Sequence, residues 1–440
     1  HNGRKINFIP FMNKYEKYKD SGIQWLGQIP EHWKVIRFKN IFKEINERSF
    51  NGEEDLLSVS QFTGVTRKSD KIEDGDLLTN ANSLEGYKIV RKNDLVSNIM
   101  LAWNGSLAFS EFDGITSPAY SVYRVKTNDN NRFLHYLVRS EAYKAEFKRN
   151  SSGVIESRLR LYTDDFFSIY SLIPTKEEQT AIANFLDDKT AKIDQAIAIK
   201  EKEIVLLKER RQILIQKAVT KGLDPNVKMK DSGVDWIGEI PKHWEVRKLK
   251  SLSTKIGDGL HGTPDYDDEG EYYFINGNNL GGNYISVSEI TKKVNFNEFK
   301  KNRKELSEKS ILLSINGTIG NVAFYRNELV MLGKSVCYVN LTNDVNKKFL
   351  AFYFKSQSFK EYCEVVLSGS TIYNLSLHSV ANTKISLPFL EEQTEIVSYL
   401  EKIEEKISKA ISLKQQEIEK LKEYKTVLID NVVTGKVKVG

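Results

Sequence analysis

The chain has 440 residues, more than one ordinary hydrophobic core holds, which predicts at least two globular units. No apolar run approaches the roughly 18–20 residues of a membrane-spanning helix, so a membrane class is excluded. The net charge of +6 permits a polyanionic partner without identifying one. Cys337 and Cys363 are the only cysteines, which excludes a disulfide-built scaffold. With no recognisable signal peptide, we expect a cytoplasmic protein.

The first element near the amino terminus recurs in the second half of the chain. It reads KDSGIQWLGQIPEHWKV from Lys19 to Val35 and KDSGVDWIGEIPKHWEV from Lys230 to Val246, a shift of 211 residues. Two Trp residues, Gly and Pro at identical spacing indicate an internal duplication. We call this segment the tryptophan motif. Its histidines, His32 and His243, are expected to pack beside the tryptophans.

Two segments that resemble each other only weakly follow the two copies of the motif. Residues 36–173 and 247–387 are rich in short apolar runs, Gly and Asn, which predicts β-rich globular domains. Trp103–Ser106 aligns with Ile315–Thr318, and Ser152-Gly153 aligns with Ser368-Gly369. One domain type is therefore used twice, with different surfaces.

A second repeated element leads from each globular segment into a long helix. It reads PTKEEQ from Pro174 and PFLEEQ from Pro388, a shift of 214 residues. In the first copy, Thr175 and Glu178 have the spacing of a capping box, which predicts that the helix begins there.

Each long helix carries an apolar stripe whose steps alternate four and three, the spacing of a coiled-coil seam. Helices of about 40 residues, roughly 60 Å long, cannot bury such stripes alone and should pack on each other or on a partner. Two basic positions interrupt each stripe. In the first helix, Lys200 and Arg211 either snorkel at the edge of the seam or set register and antiparallel orientation by pairing with Glu residues. The stripes are Ile193, Ile197, Lys200, Ile204, Leu207, Arg211, Leu214 and Ala218, and then Ile407, Ile411, Lys414, Ile418, Leu421, Lys425, Leu428 and Val432.

The sequence therefore predicts an α+β protein of two similar, mixed, β-rich domains joined and spaced by two long helices. The predicted division is a lead over residues 1–30, a first domain over 31–175 and a helix over 176–222, then a second domain over 223–388 and a helix over 389–440. Repeated connecting parts with unlike globular parts suggest a device that reads two different things at a set distance, which suits a DNA duplex.

The tryptophan motif, the Glu-Glu-Gln start of each long helix and the alternation of variable and repeated regions resemble the specificity subunits of type I restriction–modification systems. The resemblance covers the chain from Lys19 onward. It implies two target-recognition domains, each reading one half of a split site in double-stranded DNA. It also implies antiparallel coiled-coil helices in a pseudo-two-fold arrangement.

The resemblance further implies a non-catalytic chain. Its expected partners are two methyltransferase subunits and the endonuclease/translocase subunits, with no membrane involved. No cofactor is expected in this chain. S-adenosylmethionine, ATP and Mg²⁺ are expected on the partner subunits.

Two other classes stay open on the residues alone. One is a protein-interaction scaffold whose coiled coil is the functional part, without DNA specificity. The other is a fused nuclease in which Asp265, Glu298 and Lys300 form a carboxylate–lysine set for Mg²⁺.

DNA reading would use basic residues at phosphates and polar side chains at base edges. For every candidate the alternative is an exposed charge or an Asn that forms a turn. Arg158 and Arg160 are favoured because they align with the unlike residues Ile372 and Asn374. The candidates in the first half are Arg67, Lys68, Lys88, Arg91, Asn104, Arg158 and Arg160. Those in the second half are His261, Thr263, Asn276, Asn278, Asn279, Asn316, Lys334, Tyr373 and Asn374.

Overall fold

The computed structural model describes residues 13–71, 83–155, 158–367 and 374–439. The chain divides into two compact units. The first unit combines residues up to 200 with residues from 416 onward, and the second unit spans residues 201–415.

The first unit is built around an antiparallel sheet with the strand order β4-β11-β8-β9. In its register Val122 lies between Ile45 and Val96, and these three side chains share one small core because they face the same side of the sheet. The strands are β1 (Tyr18–Asp20), β2 (Gln28–Pro30), β3 (Lys34–Arg37), β4 (Phe42–Ile45), β5 (Leu57–Ser60), β6 (Gly64–Arg67), β7 (Lys88–Val90), β8 (Leu95–Ser97), β9 (Leu107–Phe109), β10 (Gly114–Thr116), β11 (Ser121–Val125) and β12 (Tyr170–Ile173). The short helices are α1 (Phe38–Ile41), α2 (Asn131–Arg139), α3 (Glu141–Arg149) and α4 (Thr163–Ser168).

Helix α5 (Lys176–Lys221) begins in the first unit and ends in the second. The second unit repeats the central sheet, with the order β16-β24-β21-β22. The strands are β13 (Met229–Asp231), β14 (Glu239–Pro241), β15 (Glu245–Lys248), β16 (Ser253–Asp258), β17 (Tyr272–Ile275), β18 (Leu280–Gly281), β19 (Tyr284–Ile285), β20 (Lys293–Val294), β21 (Ser310–Ser314), β22 (Val322–Phe324), β23 (Val330–Leu332), β24 (Val336–Leu341) and β25 (Lys384–Leu387). The short helices are α6 (Phe296–Asn302), α7 (Lys347–Phe354), α8 (Gln357–Leu367) and α9 (Leu377–Asn382).

Helix α10 (Leu390–Val433) begins in the second unit and ends in the first. The predicted α+β class, with two similar β-rich domains and two long helices, is confirmed. Among the described residues, no helix combines the length and the apolar character that crossing a lipid bilayer requires.

The tryptophan motif fixes the first turn of each long helix through one carboxylate. In the first unit the buried Trp33 donates its indole N–H to Glu178 Oε2 over 3.0 Å, and His32 Nε2 lies 2.8 Å from the same oxygen. In the second unit Trp244 and His243 contact Glu392 Oε2 at the same two distances. We call this contact the carboxylate latch. His243 also packs edge-on beside Trp244, as expected, and both histidines in addition contact the carboxylate and are about half exposed.

The latch also changes the predicted capping box. Thr175 Oγ1 accepts the backbone N–H of Glu178 over 3.3 Å, which is one half of the box. The other half is absent because the Glu178 carboxylate turns to Trp33, His32 and the Tyr15 hydroxyl, which also donates to it.

The glutamine that follows each latch residue fixes the neighbouring short helix. Gln179 Oε1 accepts the backbone N–H of Asn130, the N-cap of α2, over 2.7 Å. Gln393 Oε1 accepts that of Asn346, the N-cap of α7, over the same distance. The repeated Glu-Glu-Gln sequence is thereby explained, since its last two residues bind two different neighbours of the helix start.

The predicted seam is the less exposed face of both long helices, and Ile204 and Ile418 on it are buried. Lys200 pairs with Glu417 over 2.5 Å in the first unit, so the pairing interpretation holds for this residue. Lys414 pairs with Glu203 over 2.8 Å in the second unit.

In the first unit Lys425 Nζ also lies 2.7 Å from Asp194. Together with the Lys200–Glu417 pair, this contact makes the two helix segments of that unit antiparallel. Within the described chain Arg211 forms no ion pair, which agrees with the snorkelling alternative for that position.

The last turns of the long helices hold a short helix of each globular domain. In the first unit Asp430 Oδ1 accepts the backbone N–H of Glu141, the first residue of α3, over 2.8 Å. Burial raises the pKa of Asp430. In the second unit Gln216 Oε1 accepts the N–H of Ser358 in the first turn of α8 over 3.0 Å. Each domain therefore rests on a helix end that follows the other domain in sequence.

The latch predicts a specific loss of stability. Replacing Glu178 with Ala leaves the buried Trp33 N–H without its acceptor, so the free energy of unfolding should fall by about 1–3 kcal/mol. Thermal denaturation followed by circular dichroism measures this loss. Glu177→Ala is the control, because Glu177 is exposed and also lies in the first turn of α5. Equal melting temperatures for the two variants would refute the latch.

A half-buried histidine, His135, predicts acid sensitivity. Burial lowers the pKa of His135 to about 3, and its Nδ1 lies 3.4 Å from the Phe109 N–H, a contact that needs an unprotonated nitrogen. Because this pKa lies below the unfolded value of about 6.5, protons favour the unfolded chain. The contribution of His135 to stability is complete above pH 6.5 and is lost as the pH falls from there towards 3.

The slope of that loss approaches about 1.4 kcal/mol per pH unit. His135→Gln keeps an acceptor for the Phe109 N–H and should flatten the stability curve below pH 6.5 in urea titrations. His378→Gln, at an exposed histidine, should leave the curve as it is. Parallel curves for the wild type and His135→Gln would contradict this assignment.

Candidate nucleic-acid interface

Most predicted residues of the second unit meet at one edge of its sheet. The loop after β16 joins the turn before β24, where Leu260 N–H donates to Leu332 O over 2.7 Å. That turn joins the end of β17, since Gly333 N–H donates to Ile275 O over 2.8 Å. Leu375 N–H donates to Ile315 O over 2.8 Å, which places the end of β21 at the same edge. We call this the second recognition edge, formed by residues 259–263, 276–279, 315–317, 333–335 and 374–375.

Asn276 and Asn279 shape this edge by forming its tightest turn. Asn279 Oδ1 accepts the Asn276 backbone N–H over 2.9 Å, and Ser335 Oγ lies 3.0 Å from Asn276 Oδ1. Gly333 has to lack a side chain, because a Cβ there would stand 2.3 Å from Asn276 Oδ1. Both asparagines thus have the turn-forming role that was their alternative, and DNA contact by their remaining polar atoms stays a prediction.

The other candidates of this edge present polar groups to solvent. His261 is exposed and lies 2.7 Å from Asp258. Asn316 and Asn374 form an antiparallel backbone bridge, with Asn374 exposed. The remaining exposed candidates are Thr263, Asn278 and Lys334. Tyr373 lies outside the described residues.

In the first unit a narrow loop carries Arg158 and Arg160. Ser152 and Arg160 exchange both backbone hydrogen bonds at 2.9 Å, and Leu161 N–H donates to Ile99 O over 2.9 Å. Both arginines are exposed. With the turn before β11 and the loop after β8, this makes a first recognition edge over residues 98–106, 117–120, 152–155 and 158–162.

The backbone contacts of the two edges correct the sequence alignment. Ile99 accepts from Leu161 as Ile315 accepts from Leu375, so Ile99 takes the place that the alignment gave to Trp103. Asn104 is therefore not the counterpart of Asn316. Its Oδ1 accepts from Ser106 Oγ over 2.8 Å and closes the turn before β9. The weak alignment failed here because the loop after β8 is longer than the loop after β21.

Three candidates of the first unit lie at the other end of the sheet. Arg91 is in the turn before β8, where Asn93 N–H donates to Ser110 O over 2.8 Å. Arg67 lies over the Phe112 ring at 4.8 Å and pairs with Asp55 at 2.9 Å. Lys68 follows Arg67, and its N–H donates to Leu56 O over 2.8 Å. The structure does not bring these three residues to the first recognition edge.

Lys88 lies in β7 with its side chain largely buried. Its side chain is 9% exposed, and its ammonium lies 3.7 Å from Glu44. A phosphate or base contact needs a cation at the surface, so the position of Lys88 in β7 argues against the predicted contact.

The first recognition edge contains groups that the sequence reasoning missed. At the first edge Asn98 Nδ2 donates to the Tyr120 hydroxyl over 3.2 Å, and burial raises the pKa of Tyr120, which keeps that hydroxyl protonated at neutral pH. Val154, Ile155 and Tyr162 are exposed apolar residues there. The available signal is the Val-Ile pair that follows Ser-Gly, a few residues before two arginines.

The two cysteines are buried, and the structure describes both carboxylates of the nuclease alternative. Burial raises the pKa of Cys363 to about 12 and that of Cys337 further. Asp265 is exposed, and Glu298 Oε1 accepts from Asn302 Nδ2 within α6. In the part of the chain that the structure describes, no group of three or more His, Cys, Asp or Glu side chains is placed to hold a metal ion.

Comparison with known proteins gives consistent matches along the chain. The sequence profile described as the type I restriction modification DNA specificity domain matches residues 30–208 and again 241–423. A similar protein is the specificity subunit of the type I restriction enzyme MjaVIII from Methanocaldococcus jannaschii. It is 25% identical, over 94% of this chain and 94% of that protein.

Two solved structures share the fold. One comes from work on complex assembly and conformational transition of the type I R-M system, with a TM-score of 0.68 and 18% identity, covering 92% of this chain and 98% of that one. The other is the HsdS subunit from Thermoanaerobacter tengcongensis, with a TM-score of 0.54 and 16% identity, covering 93% and 98%.

Proposed function

Because the chain belongs to the family of type I restriction-modification DNA specificity domains, we propose that it recognises a two-part DNA site for its complex. The observation that carries this proposal is the family domain occurring twice, with unlike side chains at equivalent places of the two recognition edges. Arg160 and Asn374 are the clearest example. Each precedes a leucine whose backbone N–H donates to an isoleucine carbonyl just after a central strand, yet one carries a guanidinium and the other an amide.

As a specificity subunit the chain is the non-catalytic part of its complex, and it assembles with other subunits and with DNA. We propose two methyltransferase subunits as partners, one for each copy of the carboxylate latch, together with endonuclease/translocase subunits. Aliphatic side chains exposed on the long helices offer apolar surface for such partners. They are Ile199, Val205, Leu206, Ile213 and Leu413.

The partner subunits are proposed to bind S-adenosylmethionine, ATP and Mg²⁺, which supply methyl transfer and DNA translocation and cleavage. This chain would supply position alone. We propose that it acts in the cytoplasm, where the DNA to be modified lies.

Base recognition follows from the donors at the two edges. A guanidinium bonds guanine O6 and N7 in the major groove, whereas an asparagine amide matches adenine N6 and N7. Affinity should come from phosphate contacts and fall steeply with salt. We therefore propose that the loop that carries Arg158 and Arg160, here called the arginine loop, reads one half of the site and the second recognition edge reads the other.

Methylation mapping tests the function as a whole. Cells that express the chain with its modification subunits should carry methylated adenine or cytosine at one two-part sequence, read out by sequencing of modified bases. A gel shift of the assembled complex on random duplexes should retain that sequence selectively. If the complex retained random duplexes without selecting a sequence, the protein-interaction scaffold would be favoured instead.

The arginine loop gives a sharper prediction. Arg158→Gln or Arg160→Gln should relax or weaken one half of the methylated sequence by about 5- to 150-fold and leave the other half unchanged, since each bidentate contact is worth about 1–3 kcal/mol. Arg91→Gln, at the far end of the same sheet, should change neither half. If the two arginine variants changed only the half-site that Lys334→Gln also changes, the assignment of the arginine loop to its own half-site would be wrong.

The long helices predict control of the gap between half-sites. Seven residues inserted after Val205 and after Glu419, at aligned positions, keep the 3.5-residue seam and add about 10 Å to each helix. The gap should lengthen by about three base pairs, at 3.4 Å each, with both halves unchanged. The same insertion between Leu223 and Asp224, outside the helices, should keep the gap. A constant gap in both variants would refute a spacing role.

A further inference from the structure

The arginine loop of the first unit ends in an aliphatic tip. Val154 is 100% exposed and Ile155 is 52% exposed, directly after Gly153. Tyr162, 48% exposed, stands at the base of the same loop. Val154 buries no surface within the unit, and Ile155 and Tyr162 leave about half of theirs open, so the fold gains little stability from placing them there.

The tip is held in place by backbone contacts. The two 2.9 Å bonds between Ser152 and Arg160 close the loop, and Arg158 N–H donates to Ile155 O over 2.8 Å. Gly153 has φ of +154°, and a Cβ there would lie 2.6 Å from Arg158 O. Little conformational freedom remains for these backbone atoms to lose on binding, which favours a recognition role.

The charge beside the tip points to the nature of its partner. Arg158 and Arg160 are exposed, and neither forms an ion pair with any residue that the structure describes. Two open guanidiniums beside two open aliphatic side chains suit a polyanion that also offers an apolar group. Double-stranded DNA has one such group at its base edges in the major groove, the 5-methyl of thymine.

Resting on the proposed function, we propose that Val154 and Ile155 read a thymine in one half of the site by packing against its 5-methyl group. Arg158 and Arg160 anchor the loop on the same stretch of duplex. The tip is thus a specificity element of the first unit.

The aligned segment of the second half differs in sequence. Its Ser368-Gly369 pair is followed by Ser370 and Thr371, and only four residues separate Gly369 from Asn374, against six between Gly153 and Arg160. Aliphatic reading is therefore expected for one half-site, not for both.

The test uses the complex assembled with its modification subunits and the duplex found by methylation mapping. Each thymine of the half-site read by the first unit is replaced in turn by deoxyuridine, which removes only the methyl group. Fluorescence anisotropy should show that one replacement weakens wild-type binding about four-fold, the worth of one buried methyl. Val154→Ser with Ile155→Ser should weaken binding to the unmodified duplex similarly and abolish the response to that replacement.

The matched control changes exposed aliphatic residues of the second unit. Val287→Ser with Ile290→Ser replaces side chains that are 43% and 89% exposed, and this variant should keep the wild-type response to deoxyuridine. Because all four side chains are exposed, neither variant should alter the melting temperature.

Three results would overturn the proposal while leaving the proposed function intact. These are a half-site without thymine, a wild-type complex indifferent to every deoxyuridine, and a tip variant that still responds as the wild type does. A tip variant that binds DNA normally but loses its modification subunits would also overturn it, by making the tip a protein contact. A wild-type complex that selects no sequence would instead overturn the proposed function itself.

Discussion

A single carboxylate in the first turn of each long helix organises the structure around it. Glu178 and Glu392 each accept a buried indole N–H, so the tryptophan motif can be satisfied only when the helix begins at that point. The neighbouring glutamine then fixes a short helix of the adjoining domain. A buried indole N–H left without an acceptor costs about 1–3 kcal/mol, so the motif, the helix start and the domain are set together.

The parts governed by repetition and periodicity could be predicted from the sequence. The alternating steps of four and three located the buried side of both helices, including Ile204 and Ile418, because a seam demands that spacing wherever helices pair. The motif's recurrence indicated two similar domains. The pairing of Lys200 with a glutamate was one of two alternatives, since snorkelling and pairing need the same residue in the same place.

The recognition edges were only partly predictable, because they consist of loops whose neighbours are distant in sequence. Arg158 and Arg160 were favoured because of their unlike counterparts, and the structure places them together on one loop, while their contact with DNA stays a prediction. Lys88 could not be told from a surface lysine, since its partner Glu44 belongs to another strand. In sequence Asn276 is a plausible base-contacting residue. Its Oδ1, however, accepts a hydrogen bond from Ser335 Oγ, a contact that spans 59 residues.

The support of α3 by Asp430 and of α8 by Gln216 has an evolutionary consequence. Each domain packs against a stretch of helix that follows the other domain in sequence. A gene segment that replaced one globular domain alone would therefore not carry the helix residues that this domain contacts. The incoming domain would have to fit the helix end that is already present in the recipient protein. Selection for exchangeable domains would then keep the two supporting helix ends alike while the recognition loops diversify. The similarity of the two long helices is the result that such a history would produce.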